Sequence, residues 1–259
     1  QILVADMRGR SDRILPEEFR QTFIKDALVD AISASYPYAA VSVPIMATAA
    51  GVPHANPKIV YLPDDPRLGI YRKDFANKLY IFEEREPGGI KKTYSTPKVL
   101  EELQDDNDNS IDRHATLQAR LLDMFMMDFD RHEDQWRWGS HDKMKGKGTS
   151  YYPIPRDRDQ PFFINQGIIP RIISRPSLQP RFQGFRAKAK NINTFNFNGR
   201  YFDRLFLSGL SRQDWESAID SFLPLMNDSV IESALTQQPS AIQSYSLPFI
   251  INTLKERRK

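Results

Sequence analysis

Residues 123 to 163 read DMFMMDFDRHEDQWRWGSHDKMKGKGTSYYPIPRDRDQPFF, and the fold turns on whether this stretch is a hairpin. An apolar run ends abruptly in Asp128, Asp130, Arg131, His132, Glu133 and Asp134. "QWRWG" and "SYYPIP" then form two short aromatic runs around the Gly/Lys-rich "SHDKMKGKGT", the pattern of two strands joined by a turn. Asp157 and Asp159 follow, framed by Arg156 and Arg158. A hairpin over 135–155 has a chemical consequence, because an antiparallel pair brings its two outer ends together. Carboxylates distant in sequence become neighbours, and like charges that close raise one another's pKa unless a cation or arginines offset them. Mg²⁺ or Mn²⁺ prefers such hard oxygen donors, with waters and a substrate phosphate completing the shell.

Upstream of the hairpin, "IDRHATLQARLLDMFMM" predicts a helix capped by Asp112, with Leu117, Leu121, Met124 and Phe125 on one face. The acidic "LQDDNDNS" before it reads as a mobile segment. Further back, "KIVYLP" (58–63) and "KLYIFEER" (78–85) read as strands separated by the turn-like "PDDPRLG". "YPYAAVSVPIMATAAGV" reads as a helix with Gly51 near its stop. "ILVADM" (2–7) is a short strand, followed by a helix in "LPEEFRQTFIKDALVDAISA" with Pro16 in its first turn and Glu17 and Glu18 near the positive end of its dipole. Downstream, residues 165–200 carry no clear periodicity, and from Ser211 three helices follow. The order gives an α+β fold: a strand-rich part over 1–95 and a mainly helical part over 96–259 that holds the hairpin.

Composition sets the outer limits. With 259 residues, 40% of them hydrophobic, the chain can bury a sizeable core. A net charge of +3 suits phosphate-bearing ligands without requiring nucleic acid. The sequence has no cysteine, so a metal would be held by oxygen or imidazole. No stretch is long and apolar enough to span a bilayer as a helix. The start at Gln1 and the basic end "INTLKERRK" both read as cuts from a longer chain, whose neighbouring domains are expected partners.

Apolar helix, Asp-Arg-His loop, hairpin and Asp loop follow one another in the order of the catalytic half of a protein kinase. "DFDRHEDQW" is similar to the Asp-Arg-His loop of the secretory-pathway (casein) kinases, and "YYPIPRDRDQPF" resembles the second motif of the spore-coat CotH-type kinases. A broader resemblance, including "SASYPYAA" and "PDDPRLG", is to an uncharacterised segment of Bacteroidetes surface-antigen proteins lying between a metallophosphoesterase domain and an outer-membrane barrel. The resemblance implies an atypical two-lobe kinase-like fold with an incomplete N-terminal lobe, in an extracytoplasmic, envelope-associated protein. Carried over residue by residue, it makes Asp130 the base, with Arg131 and His132 in its loop. Asp157 becomes a metal ligand with Asp159 beside it, and Asp134 or Gln135 takes the second-ligand position. Mg²⁺ or Mn²⁺ and ATP would be the cofactors, and a protein or small-molecule hydroxyl the substrate.

The sequence departs from a working kinase in its nucleotide grip. No glycine-rich loop precedes "ILVADM", and that strand carries no Lys to pair with Glu17 or Glu18; the nearest, Lys25, falls on the expected helix. Three rival readings stay open: a degenerate kinase, a non-catalytic module linking domains of a surface protein, and a metal-dependent phosphohydrolase. The plainest alternative makes the acidic clusters surface salt bridges to Arg131, Arg137, Arg156 and Arg158. Likewise Trp136, Trp138, Tyr151 and Tyr152 read as a packing face of the hairpin rather than a stacking platform for a ligand.

Overall fold

The computed structural model describes residues 2–6, 36–84, 86–87, 90, 92–144, 147–164 and 183–259. The helix expected over 15–34, with Glu17, Glu18 and Lys25, lies outside the described residues. Within them the fold is α+β. Strand β1 (Ile2–Asp6) pairs with β3 (Lys78–Glu84), and β3 with β2 (Lys58–Leu62), giving an antiparallel sheet ordered β1-β3-β2. Between β2 and β3 the expected turn is a short 3₁₀ segment, Pro66–Tyr71, opened by Asp65, which accepts from the Arg67 N–H, and a single helical turn, α2 (Arg72–Phe75). Before β2 runs α1 (Ala39–Ala49). It is apolar almost all round because it is enclosed, lying against α4 (Arg113–Met126) and α8 (Asp228–Leu235).

The hairpin is present. Strands β6 (Trp136–Asp142) and β7 (Thr149–Pro155) pair antiparallel from Trp136↔Pro155 to Asp142↔Thr149. Two-residue strands complete a second sheet ordered β4-β6-β7-β5, with β4 at Tyr94–Ser95 and β5 at Ser110–Ile111. Its aromatic residues pack, as expected. Trp136 stacks on Phe202 at 4.0 Å, Trp138 tilts on Phe206 at 4.7 Å, and the Trp138 indole N–H donates to Thr96 Oγ1 at 3.1 Å. Each such side chain buries a large apolar area, so this face anchors the hairpin to the helices. On the other face Tyr152 stacks on His141, its ring lying across Gly139, where a Cβ would stand 2.2 Å from it.

Between β4 and β5 runs α3 (Thr96–Asp105), whose Val99, Leu100 and Leu103 pack against the core. It starts because Ser95 caps it and Pro97 sits in its first turn. The expected mobile segment "LQDDNDNS" is corrected here. Its first residues finish α3, and Asn109 ties the rest down, donating to the Glu102 carbonyl and accepting from the Thr149 N–H.

Helix α4 follows its expected cap, the Ala115 N–H donating to Asp112 at 2.8 Å. It ends at Met127, which adopts a left-handed φ of 55° without being glycine. Beyond the hairpin come α5 (Ile192–Phe195), α6 (Arg200–Phe206), α7 (Arg212–Leu225), α8 and α9 (Ser240–Arg257). The expected last helix thus starts earlier, at Ser240. The core joins α1, α4 and α6–α9 to the inner face of the hairpin.

Candidate functional site

Pairing at the hairpin base decides what its ends hold. Beyond Trp136↔Pro155, the Arg156 N–H donates to the Gln135 carbonyl at 2.9 Å, so the two loops leave the sheet side by side. Gln135 Nε2 donates to Asp157 Oδ2 at 3.1 Å across the gap. Arg131 binds both loops from within, Nη1 donating to Arg156 O at 2.7 Å and Nη2 to Gln135 O at 3.1 Å. Its guanidinium also lies 4.8 Å from the Trp136 ring. The two acidic clusters are joined.

Beneath them lies a buried ionic frame. Asp123, near the C-terminus of α4, has a side chain fully removed from solvent. It accepts from Arg120 Nη1 at 2.9 Å and Arg158 Nη1 at 2.5 Å, with Arg131 Nε at 3.4 Å. Arg120 also grips Asp203 on α6 with two parallel hydrogen bonds, of 2.7 and 3.0 Å. Asp128 is equally buried, 3.7 Å from Arg131 and 4.0 Å from Arg158, and its Oδ2 has no hydrogen-bond partner. The frame sets Arg120, Arg131 and Arg158 against Asp123 and Asp203, with the Asp128 carboxyl beside them. An isolated buried charge would be far too costly.

Burial works to raise Asp123, but Arg158, Arg131 and Arg120 outweigh it and hold its carboxyl below the usual range. Asp128 goes the other way. Burial, with Asp123 and Asp130 adding to it against Arg131 and Arg158, pushes it up to about 7. Arg158 is lowered by burial. The surface-salt-bridge reading is therefore corrected for Arg131 and Arg158, which are buried because Asp123 enters the core with α4. Arg137 donates to the Thr93 hydroxyl and carbonyl, and Arg156 lies near Glu83.

The outer layer carries the residues singled out in the sequence. Asp130 is half-buried and its Oδ1 accepts from Asn198 Nδ2 at 2.6 Å. Asp157 is exposed in the left-handed region, φ 54°, a conformation that Asp tolerates better than most residues. Dense protein around the Asp159 carboxyl, then the charges of Asp157, Asp128 and Asp130, push it up to about 8. The residue nevertheless keeps an exposed surface, where solvent screens part of that repulsion. His132 turns onto its own loop, Nδ1 accepting from the Asp134 N–H at 3.3 Å and capping the 3₁₀ turn Glu133–Gln135. The structure thus brings Gln135, Asp157 and Asp159 together, while Asp134 stays almost fully exposed beside His132.

A narrow cleft runs up to Asp157 between α1, the end of β3 and the hairpin, lined by Pro44, His54, Glu83, Pro87 and Arg156 among others. Glu83 is raised, first by burial and then by Asp157. Among the described residues, no group of three or more His, Asp or Glu is placed to hold a metal ion by itself. The donors available are one or two carboxylates with an open side. That is the set Mg²⁺ uses when a phosphate and waters complete its shell.

Sequence reasoning missed Asp123 and Arg120 as anchors, and Asp203 and Asn198 altogether. A charged residue inside the apolar "LLDMFMM" was a legible sign for Asp123. Nothing local marks Asn198, 68 residues from its partner. The chain matches no family model, no curated protein and no solved structure.

Proposed function

We propose that the chain is a kinase-like domain in which loops 128–135 and 156–160 form one divalent-cation phosphotransfer site. The supporting observation is the hydrogen-bonded junction of the two loops above the Asp123 frame. In this reading residues 1–95 and 96–259 correspond to the two lobes of an atypical kinase, and the segment after β3 connects them. The chain would belong to a longer extracytoplasmic protein of a bacterial envelope.

Asp130 accepts the proton of a substrate hydroxyl, while Asn198 fixes the orientation of its carboxylate. Asp157 ligates the cation, and Gln135 holds its Oδ2 in place. Arg131 keeps both loops at a fixed separation through their carbonyls. Mg²⁺ or Mn²⁺, once bound with ATP, neutralises charge on the phosphate oxygens. The open, hard-oxygen donor set fits a cation that arrives with a phosphate; burial first, then repulsion from neighbouring carboxylates, raises Asp159, and such a cation would relieve the repulsion.

One observation favours a second reading, a degenerate site in a non-catalytic linking module. β1 is Ile-Leu-Val-Ala-Asp, with Ala5 opposite Ile81 and Asp6 opposite Tyr80, so no Lys reaches toward the phosphates from this strand.

Calorimetry and thermal shift with ATP and Mg²⁺ or Mn²⁺ separate the two. The phosphotransfer reading expects nucleotide binding that requires the cation, and its loss in Asp157→Asn with the fold unchanged. Absence of cation-dependent nucleotide binding would leave the linking module. Unchanged cation affinity in Asp157→Asn would overturn the ligand assignment.

A further inference from the structure

Helix α6 divides its residues sharply. Phe202 and Phe206 enter the core against Trp136 and Trp138, and Asp203 is held by Arg120. The outer positions, Arg200, Tyr201, Arg204 and Leu205, are all exposed. Tyr201 and Leu205 are four residues apart, as are Arg200 and Arg204, so each pair forms a column on the solvent face. Phe197, just before the helix, extends the apolar column, with about half its surface exposed. The Arg200 guanidinium lies 3.7 Å from the Phe197 ring centre and 4.3 Å from that of Tyr201. Stacking of this kind holds a long, flexible side chain in a fixed pose.

This patch is fixed relative to Asp130. Asn198, between Phe197 and Arg200, donates to Asp130 Oδ1 at 2.6 Å. At Gly199 a Cβ would stand 2.8 Å from Arg120 Nη2 and 3.4 Å from the Arg131 carbonyl, so the backbone here runs directly on the acidic loop.

We propose that the outer face of α6, with Phe197, is a docking surface for an acidic segment of a partner protein that also carries aromatic or aliphatic side chains. The occupant follows from the charge and the apolar character of this face. Two arginines present guanidinium edges that suit carboxylates, while exposed Tyr, Phe and Leu offer the apolar contacts that dominate protein interfaces. The same residue types could attract single-stranded nucleic acid, which needs open ring faces on which bases stack. Here Arg200 already covers faces of Phe197 and Tyr201, so a protein is favoured. Given the reading of Asp130 as a base, docking on α6 would set a hydroxyl side chain of that partner beside it, making a protein the substrate of this site.

The test reads binding without nucleotide, so it stands apart from whether phosphotransfer occurs. Fluorescence anisotropy would compare a labelled random Glu–Tyr copolymer, a Lys–Tyr copolymer and oligo-dT. The full chain should bind the Glu–Tyr copolymer at least tenfold more tightly than either control. Arg200→Glu/Arg204→Glu should lose at least tenfold of that affinity, and Tyr201→Ala/Leu205→Ala several-fold, with unchanged thermal unfolding because all four side chains are exposed. Equal binding by wild type and both variants, no binding of the acidic copolymer, or tighter binding of oligo-dT would overturn the proposal.

Discussion

Asp123 holds more of the site than any residue that faces solvent. Its carboxylate is the shared partner of Arg120, Arg131 and Arg158, and through them it sets the positions of α6, the 128–135 loop and the 156–160 loop. Replacing it by Asn keeps the volume and removes the charge, leaving three buried guanidiniums facing Asp128 and Asp203. Breaking a buried pair costs about 3–5 kcal/mol, so urea unfolding of Asp123→Asn should show a loss of that order. Asp203→Asn should lose less, because that carboxylate is 24% exposed and solvent replaces part of the pairing. Equal, small losses in both variants would mean that the frame does not carry the site.

Asp128 makes a prediction with a definite sign. Its folded pKa of about 7 lies above the ordinary carboxylate value. The stability linked to it is therefore complete below about pH 4 and is lost as pH rises through 7. Relative to wild type, Asp128→Asn should gain with increasing pH between 5 and 8, by at most about 1.4 kcal/mol per pH unit. Parallel stability curves for the two proteins would contradict the assignment of a buried, protonatable carboxyl at this position.

Elements differ in how visibly the sequence announces them. The hairpin, α1, β2, β3, α4 and the helices after Ser211 were legible because each carries its own local signal: alternation, a cap or an apolar face. Helix α3 escaped notice although Ser95, Pro97 and its apolar Val99, Leu100 and Leu103 mark it, because its ten residues lie in a stretch dominated by acidic side chains. The seven residues of α6 were too few to establish a period, and its inward Phe202 and Phe206 make sense only once Trp136 and Trp138 are in place. The same contact anchors the hairpin. Trp138→Ala would open a void against Phe202 and Phe206 and remove the indole N–H bond to Thr96, an expected loss of about 3–5 kcal/mol.

Gly199→Ala tests the link between α6 and the acidic loop. The added methyl meets Arg120, which Asp203 prevents from moving aside. Faster amide exchange over 196–203, with β6 and β7 unchanged, is the expected result. Uniform exchange across both regions would mean that Gly199 is not the point of close approach.

At the scale of the molecule, a chain of mildly basic net charge gathers Asp123, Asp128, Asp130, Asp157 and Asp159 at one end of one hairpin. The inner two belong to the ionic frame, and of the outer three Asp157 lines the cleft. Only Asp123, set inside an apolar run, hinted at that division in the sequence; the other four look alike. It emerges from depth alone: α4 carries Asp123 inward and Asp128, just past its end, is buried beside it, whereas the left-handed turn at Asp157 lifts the second cluster toward solvent. Among the described residues no helix is long and apolar enough to cross a membrane.

The central claim is that the two loops share one cation with a bound phosphate. Paramagnetic broadening of backbone amide signals by Mn²⁺ in the presence of ATP tests it directly on the 30.0 kDa chain. The account predicts that signals from 128–135 and 156–160 broaden together at substoichiometric Mn²⁺, and that Asp157→Asn abolishes the effect. Broadening that spares both loops, or reaches them equally in Asp157→Asn, would contradict it.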